Sequence, residues 1–223
     1  MLKHILGEKG MDLKQSLKGR TRELITFAWS IFSNKVGNGI ITINKEASMQ
    51  LRYAYILQQL IPFIILNENE KVDLELETTI NDGETNREVD ILIIGSDGHS
   101  NFNIAIELKC YKKKASSGRL RGATDIFMKN VYNDLYQLEM YCKNSKIDIG
   151  IELVMNDLSN FVRPKNKDKK CWDYDISNGY KLYGPQTFNT PIGGKSVNIT
   201  LNKNYEFNWE KIGEFWFMEL EGK

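Results

Sequence analysis

Residues 87–109 read REVDILIIGSDGHSNFNIAIELK, and this stretch decides the fold. Two runs rich in β-branched residues flank a cluster of Gly, Asp, Ser and Asn, which is the pattern of a β-hairpin. If the chain folds back at the Gly-His pair in the middle of that cluster, Asp90 lies directly opposite Glu107, and facing residues have Cβ atoms roughly 5 Å apart. Lys109 follows Glu107 by two residues and shares its face of the strand. The sequence thus predicts two carboxylates and an amine together at one end of a buried sheet.

The composition is that of an ordinary globular protein, and it disfavours several kinds of chemistry. The 223 residues carry a formal net charge of +1, so affinity for nucleic acid must come from local basic patches. Three widely spaced cysteines argue against a zinc or iron–sulfur site and favour a reducing compartment. Two histidines and the lack of a Gly-x-x-x-x-Gly-Lys-[Ser/Thr] loop disfavour histidine-rich metalloprotease and nucleotide-phosphate sites. Carboxylates, lysines and polar amides must therefore carry the chemistry.

The sequence predicts no membrane segment. The longest apolar run, residues 60–66, contains Pro62 and is too short to span a bilayer. No secretory pattern opens the chain. We therefore expect a cytoplasmic protein with no membrane partner.

Two amphipathic helices are predicted before the first strand. Apolar residues recur at helical spacing over residues 11–34, and a second apolar stripe runs from an N-cap at Asn44 to about Pro62. Glu46 falls on the inward stripe of the second helix, in its first turn. It either complements the helix dipole or reaches a metal held by the sheet, and the sequence favours neither explanation.

A three-stranded meander is predicted around the hairpin. Residues 72–79 alternate like a strand and lead into an Asn81-Asp82-Gly83 turn, so they pair with the strand that holds Asp90. This pairing places Glu77 roughly opposite Asp90, either as a third acid or as part of a half-exposed face. The two hairpin strands are nearly continuous in apolar residues, which predicts a sheet covered on both faces.

A third helix, about residues 125–143, and a fourth core strand, residues 149–155, follow the meander. Thr124 and Asp125 are the expected helix cap, and an apolar seam runs along one side of the helix. Gln137 and Tyr141 are four residues apart and project together. The predicted order is therefore helix, three strands, helix and strand.

A basic loop begins directly after Lys109. It runs from Tyr111 to Gly122 and is rich in small residues. Such a charge run is either a solvated surface or a set of phosphate contacts, and its position beside the paired acids favours phosphate contact. The predicted nucleic-acid-binding cations are Lys112, Lys113, Arg119 and Arg121.

After Asn156 the pattern changes to a basic loop, residues 163–170, followed by aromatic residues and turn formers. Short strands are expected at 197–201 and 215–220, either as an added β layer or as a contact for a substrate strand. The predicted organisation has three parts: a helical segment 1–43, a core 44–155, and a β-rich extension 156–223 packed on the core.

Two motifs on the hairpin resemble those of the PD-(D/E)xK, or restriction-endonuclease-like, nuclease superfamily. Arg87-Glu88-Val89-Asp90 matches the first motif, with valine in place of proline, and Glu107-Leu108-Lys109 matches the second. Gln137-Leu138-Glu139-Met140-Tyr141 is similar to the QxxxY motif of the RecB-like branch. The resemblance covers about residues 44–155. It implies an α/β fold with a central mixed β-sheet flanked by helices in the order αβββαβ.

The resemblance also implies metal-dependent hydrolysis of phosphodiester bonds. Oxygen ligands of this kind suit Mg²⁺ or Mn²⁺. The implied metal ligands are Asp90, Glu107, the carbonyl of Leu108 and Glu46. Lys109 would orient the attacking water or pair with the scissile phosphate, and Gln137 would hydrogen-bond the nucleophile or substrate. Tyr141 would pack nearby or contact a phosphate.

Several functions stay open at this point. The first is a DNA endonuclease of restriction, defence or mobile-element type, for which a homodimer would supply two sites for double-strand cleavage. The second is an enzyme that acts on RNA or on DNA ends, as the QxxxY motif suggests. The third is an inactive binding or interaction module, against which the complete set Asp90, Glu107 and Lys109 argues. A structural salt-bridge cluster is the alternative to any site, but buried ions are costly without a function.

Overall fold

The computed structural model describes residues 12–81, 85–114 and 118–223, which form an α/β fold around a six-stranded mixed sheet. The α-helices in these ranges are α1 (Leu17–Gly37), α2 (Glu46–Leu60), α3 (Thr124–Asn144) and α4 (Ser159–Val162), with short 3₁₀ helices at Ile61–Ile64 and Lys170–Tyr174. The strands are β1 (Lys71–Asn81), β2 (Asn86–Ser96), β3 (Asn101–Tyr111), β4 (Ile149–Asn156), β5 (Tyr180–Leu182), β6 (Gln186–Phe188), β7 (Ile199–Leu201), β8 (Tyr205–Phe207), β9 (Glu210–Ile212) and β10 (Phe215–Glu221). None of the described helices is both long and apolar enough to cross a membrane.

The sheet order is β1-β2-β3-β4-β10-β9. Strands β3 and β4 are parallel, and the other neighbours are antiparallel. Ile91 faces Ile106, which is the register that the hairpin pattern predicts. The parallel pair needs a crossover connection, and α3 lies within it. The predicted order of helix, three strands, helix and strand is confirmed, although Asp82 and Gly83 of the predicted turn lie outside the described residues.

The sheet is covered on both faces, as the apolar strands predict. Helices α1 and α2 pack on one face, where Ile93, Ile104 and Leu108 are buried. Helix α3 packs on the other face against Leu92 and Ala105. Because buried charges are costly without partners, acidic side chains between α3 and the sheet require an explanation.

Two helices begin differently from the prediction. Helix α2 follows Lys45 rather than an Asn44 cap, and the Ser48 hydroxyl accepts hydrogen bonds from the main-chain N–H groups of Asn44 (3.0 Å) and Lys45 (3.1 Å). The residue before α3 is Ala123, with a φ of 59°, rather than Thr124. The expected caps are therefore each wrong by one residue. At α2 the hydroxyl of Ser48, inside the helix, accepts the main-chain hydrogen bonds at the helix start, and at α3 the cap residue Ala123 has a left-handed backbone conformation.

The segment after β4 joins the central sheet. Strand β10 pairs with β4, so that Trp216 faces Asn156, and β9 adds the last strand. Two small ribbons, β5–β8 and β6–β7, complete the segment. Strands β7 and β10 lie where the sequence predicts strands. The other strands of the segment were not predicted, since three residues are too few for alternation to be recognised.

Glu139, in the middle of the Gln137–Tyr141 motif, anchors this segment to α3. Its carboxylate accepts hydrogen bonds from the main-chain N–H groups of Asn202 (2.8 Å) and Lys203 (3.0 Å) and from the Tyr205 hydroxyl (3.0 Å). The carboxylate is buried, so water cannot replace it as an acceptor for all of these donors. Glu139 therefore has a structural role, whereas the two ends of the motif face the site described below.

Replacing Glu139 with Ala is expected to lower the free energy of unfolding by about 2 kcal/mol, because the buried Tyr205 hydroxyl and two main-chain N–H groups lose a charged acceptor. Glu139→Gln should cost less, since its amide oxygen can still accept. Urea unfolding followed by circular dichroism measures both changes, with Glu68→Ala on an exposed loop as the control. A Glu139→Ala variant as stable as the control would contradict the anchoring role.

Candidate active site

Asp90, Glu107 and Lys109 lie on the face of the sheet that α3 covers. The β2–β3 register brings Asp90 beside Glu107, and the regular pairing of the two strands ends just before this point. Asp90 Oδ2 instead accepts a hydrogen bond of 2.7 Å from the main-chain N–H of Leu108. Because the N–H and C=O of a strand residue point to the same side, the Leu108 carbonyl also faces the Asp90 side of β3. The structure thus brings together the two carboxylates and the amine that the hairpin pattern predicts, next to the Leu108 carbonyl that the family resemblance implies as a ligand.

A further carboxylate, that of Glu152, lies beside Glu107 on the next strand. The parallel pairing of β3 and β4 aligns Glu152 with Glu107. Glu152 is 0% exposed, and neither of its carboxylate oxygens has a hydrogen-bond partner among the described residues. A buried carboxylate without partners costs several kcal/mol, so its presence calls for a function. The signal in the sequence, which the prediction did not use, is an acid inside the apolar run 149–155.

Asp134 on α3 forms the shortest ion pair of Lys109. The Lys109 Nζ lies 2.9 Å from Asp134 Oδ2 and 3.4 Å from Glu46 Oε1 at the start of α2. The second oxygen of Glu46 accepts a 3.0 Å hydrogen bond from the Cys110 N–H. Burial alone would lower the pKa of Lys109, but the carboxylates of Asp134 and Glu46 raise it above its usual range, so the amine stays protonated. Sequence reasoning missed Asp134 because an acid on a helix is usually solvated.

Four carboxyl groups near Lys109, those of Asp90, Glu107, Asp134 and Glu152, have raised pKa values and retain their protons to higher pH than free Asp and Glu do. Burial, with a smaller contribution from Glu46, raises the pKa of Asp90 to about 6. Burial also raises the pKa of Asp134 to about 6, although Lys109 opposes the shift. For Glu107 and Glu152, burial and then repulsion from Asp134 raise the pKa well above the usual range. The carboxylate cluster, as we name it, consists of Glu46, Asp90, Glu107, Asp134 and Glu152.

Tyr141 lies beneath the carboxylate cluster rather than at the surface. Its side chain is fully buried, and its hydroxyl lies 3.5 Å from Glu107 Oε1 and 3.5 Å from Gln137 Oε1. The phosphate contact expected of Tyr141 does not fit this burial, because a side chain without exposed surface cannot reach a nucleic acid. Tyr141 is placed to orient Glu107. Gln137 is half-buried next to it.

Gln50 on α2 connects β1 and β2 at the edge of the site. Its Nε2 donates hydrogen bonds to Glu77 Oε1 (2.6 Å) and to the carbonyl of Asp90 (2.8 Å). Glu77 lies opposite Asp90 in the β1–β2 register, with a φ of 52° that interrupts the regular strand. Its side chain is exposed and bonded to Gln50. Glu77 therefore contributes charge at the edge of the site and not a buried ligand.

The basic loop begins at the carboxyl end of β3, as expected. The Lys112 Nζ donates a 2.9 Å hydrogen bond to the carbonyl of Ile43 and lies 5.2 Å from the centre of the Phe215 ring, so this cation is fixed in place. The other cations are less constrained: Lys113 and Arg119 are exposed, and Arg121 is half-buried. Residues 115–117 of the loop lie outside the described residues.

The donor set of the carboxylate cluster suits a hard divalent cation. Carboxylate and main-chain carbonyl oxygens are the ligands that Mg²⁺ and Mn²⁺ prefer. The oxygens of Glu152, which have no hydrogen-bond partner among the described residues, can accept a cation once this carboxyl group loses its proton. Within the described ranges, however, no three Asp, Glu, His or Cys side chains are arranged as a metal site requires. In this arrangement the ammonium of Lys109 is paired with Asp134 and Glu46. The metal site therefore stays a prediction.

No family model, curated protein or solved structure matches the chain. The class that the site defines is accordingly a chemical one. It is a buried cluster of carboxylates with one protonated lysine, between a helix and the end of a mixed sheet.

Proposed function

We propose that the chain is a metal-dependent nuclease of the PD-(D/E)xK type, with a restriction-endonuclease-like core, that hydrolyses phosphodiester bonds of DNA. The observation that carries the proposal is the placement of Asp90, Glu107 and Lys109 on one sheet face next to Glu152, whose buried oxygens have no partner in the described part of the chain. The residues that would hold Mg²⁺ or Mn²⁺ are Asp90, Glu107, the Leu108 carbonyl and Glu46. A cation bound there would lower the pKa of a water molecule and stabilise the charge that develops on the phosphate.

The chain's own residues would position the reacting groups. Lys109 is protonated and partly exposed, so its ammonium can donate a hydrogen bond to a phosphate oxygen or to the attacking water. Asp134 restrains this ammonium through the 2.9 Å ion pair. The half-buried amide of Gln137 can bind the same water or a substrate oxygen. Tyr141 fixes Glu107 through its hydroxyl.

A purely structural ion cluster is the competing explanation, and its charge balance argues against it. Structural ion pairs in protein interiors match their charges, because an uncompensated buried charge destabilises the fold by about 3–5 kcal/mol. Here five carboxyl groups surround Lys109, and the described residues give Glu152 neither an ion pair nor a hydrogen bond, so Glu152 stays uncharged only by keeping a proton. An excess of buried acids is typical of a functional site that a cation completes.

Incubation of the purified protein with supercoiled plasmid, linear duplex DNA and RNA tests the proposal. We expect cleavage of DNA with Mg²⁺ or Mn²⁺ and none with EDTA, because Lys109 is the only side-chain cation in ion-pair contact with the carboxylate cluster in the described part of the chain. Nicking of the plasmid indicates an endonuclease. Shortening of linear DNA alone indicates an enzyme that processes ends, and cleavage of RNA alone indicates a ribonuclease.

Either of two outcomes would overturn the proposal. If no substrate is cleaved and calorimetry detects no Mn²⁺ binding, the chain is a binding or interaction module without nuclease activity. An unchanged cleavage rate in EDTA would equally exclude the metal-dependent chemistry.

A further inference from the structure

We propose that a nucleic-acid strand bound at the carboxylate cluster leaves it across β4, β10 and β9, along a row of cations. This row, the cation rim, consists of Arg163 and Lys211, which both lie over the ring of Trp216 on β10. The inference rests on the proposed nuclease function and adds the path that the phosphate backbone takes over the surface.

The cation rim lies at the end of the sheet where Lys109 lies. Tyr111, two residues after Lys109 on the same face, aligns with Asn156 of β4, and Asn156 faces Trp216 of β10. Trp216 in turn faces Lys211 of β9. Neighbouring strands lie about 4.8 Å apart, so the distance across the sheet from β3 to β9 is about 14 Å. One strand of a DNA duplex carries a phosphate about every 3.4 Å along the axis, so this length corresponds to about four phosphates.

The ring of Trp216 holds the rim cations in place without neutralising them. The guanidinium of Arg163 lies 5.2 Å, and the Nζ of Lys211 lies 5.6 Å, from the centre of the Trp216 ring. Both side chains are exposed, and none of the ion pairs among the described residues includes either of them. Glu210 precedes Lys211 but points to the other face of β9 by strand alternation. A cation–π contact orients a cation and leaves its charge available to an anion.

The other side of the catalytic strands has the opposite charge. Strand β1, at the far edge of the sheet, exposes Asp73, Glu75 and Glu77. A phosphate backbone that crossed β1 would meet these three carboxylates, whereas a backbone that crosses β10 and β9 on the face of Trp216 passes Arg163 and Lys211. This charge asymmetry gives the bound strand a direction away from Lys109.

DNA binding by a double variant tests the cation rim. Anisotropy of a short labelled duplex is measured in EDTA over a range of salt concentrations, so that no cleavage is required. We expect Arg163→Gln/Lys211→Gln to bind about tenfold more weakly and to reduce the slope of log Kd against log salt by about 2, because two phosphate contacts are lost. The control is Lys71→Gln/Lys146→Gln, which removes the same charge at the opposite end of the strands and should bind like wild type.

The two proposals fail in different ways. If the wild-type protein cleaves DNA while the rim variant keeps the affinity and salt slope of the control, the path is wrong and the nuclease function stands. If the wild-type protein neither binds nor cleaves DNA, both the proposed nuclease function and the proposed path of the phosphate backbone are wrong.

Discussion

Cleavage by the Asp90→Asn variant is expected to fall about a thousandfold or more below the wild-type rate while the fold survives. Asparagine retains an oxygen that can accept the hydrogen bond from the Leu108 N–H, so the contact between β2 and β3 at this end of the hairpin is kept. It cannot supply the negative charge that attracts a divalent cation. Burial raises the pKa of Asp90 to about 6, and this carboxyl can therefore ionise at neutral pH, whereas an amide cannot. Metal affinity and cleavage should be lost together.

Lys109→Met is expected to reduce cleavage by a similar factor for a different reason. Methionine keeps much of the hydrocarbon stem and removes the ammonium that lies between Asp134 and Glu46. The carboxylate cluster then lacks its counter-charge, so Mn²⁺ should bind at least as tightly as it does to wild type. The free energy of unfolding in EDTA should fall by about 3 kcal/mol, because Asp134 is left as an uncompensated buried acid.

Three measurements on the same preparations separate these roles: plasmid nicking, calorimetric titration with Mn²⁺, and thermal unfolding followed by circular dichroism. Lys143→Met at the exposed end of α3 is the control for loss of a lysine. Wild-type cleavage by Lys109→Met would show that Lys109 is only a structural counter-charge. Undiminished Mn²⁺ affinity in Asp90→Asn would show that Asp90 is not a ligand.

The hairpin half of the site could be predicted because its geometry is local. Strand alternation and a short polar turn fix the register of β2 against β3, and a shift by one residue would expose the apolar face. Asp90, Glu107 and Lys109 follow from that register alone. The element order was predicted for the same reason, since hydrophobic periodicity is read within each segment.

The other half of the cluster depends on contacts that are distant in sequence. The register of β4 against β3 is set by the packing of the α3 crossover, so nothing near Glu152 indicates that it aligns with Glu107. Asp134 meets Lys109 only because α3 has a particular rotation above the sheet. Gln50 is one of several polar residues on α2, and its two partners lie on β1 and β2.

Burial also separates residues that the sequence treats alike. Gln137 and Tyr141 project from the same side of α3, yet Tyr141 is fully buried and Gln137 is not. Lys112 resembles the other cations of its loop, but its ammonium bonds the carbonyl of Ile43, 69 residues earlier in the chain. Arg163 and Lys211 were not predicted as contacts because the ring that orients them belongs to β10.

Glu152→Gln is expected to stabilise the metal-free protein relative to wild type at neutral pH, by an amount that grows as the pH rises. Burial raises the pKa of Glu152 well above its usual range, so the folded protein keeps a proton that the unfolded chain releases above about pH 4.3. Each such proton lowers the free energy of unfolding by about 1.4 kcal/mol per pH unit until the folded-state pKa is reached. Asp90 and Asp134 lower the free energy of unfolding in the same way between about pH 4 and pH 6, where the unfolded chain has released their protons and the folded protein has not. Metal-free wild type should therefore lose stability as the pH rises from 4 to 7.

Urea unfolding in EDTA at several pH values, followed by tryptophan fluorescence, measures this difference. The two proteins should be about equally stable near pH 4, where Glu152 is protonated in both the folded and the unfolded chain, and should diverge as the pH rises. Glu75→Gln, on the exposed side of β1, should follow wild type at every pH. Added Mn²⁺ should stabilise wild type at pH 7 more than Glu152→Gln, because an ionised carboxylate attracts the cation and an amide does not. A difference between wild type and Glu152→Gln that is independent of pH would mean that Glu152 is already compensated, and the case for a cluster completed by a cation would lose its main support.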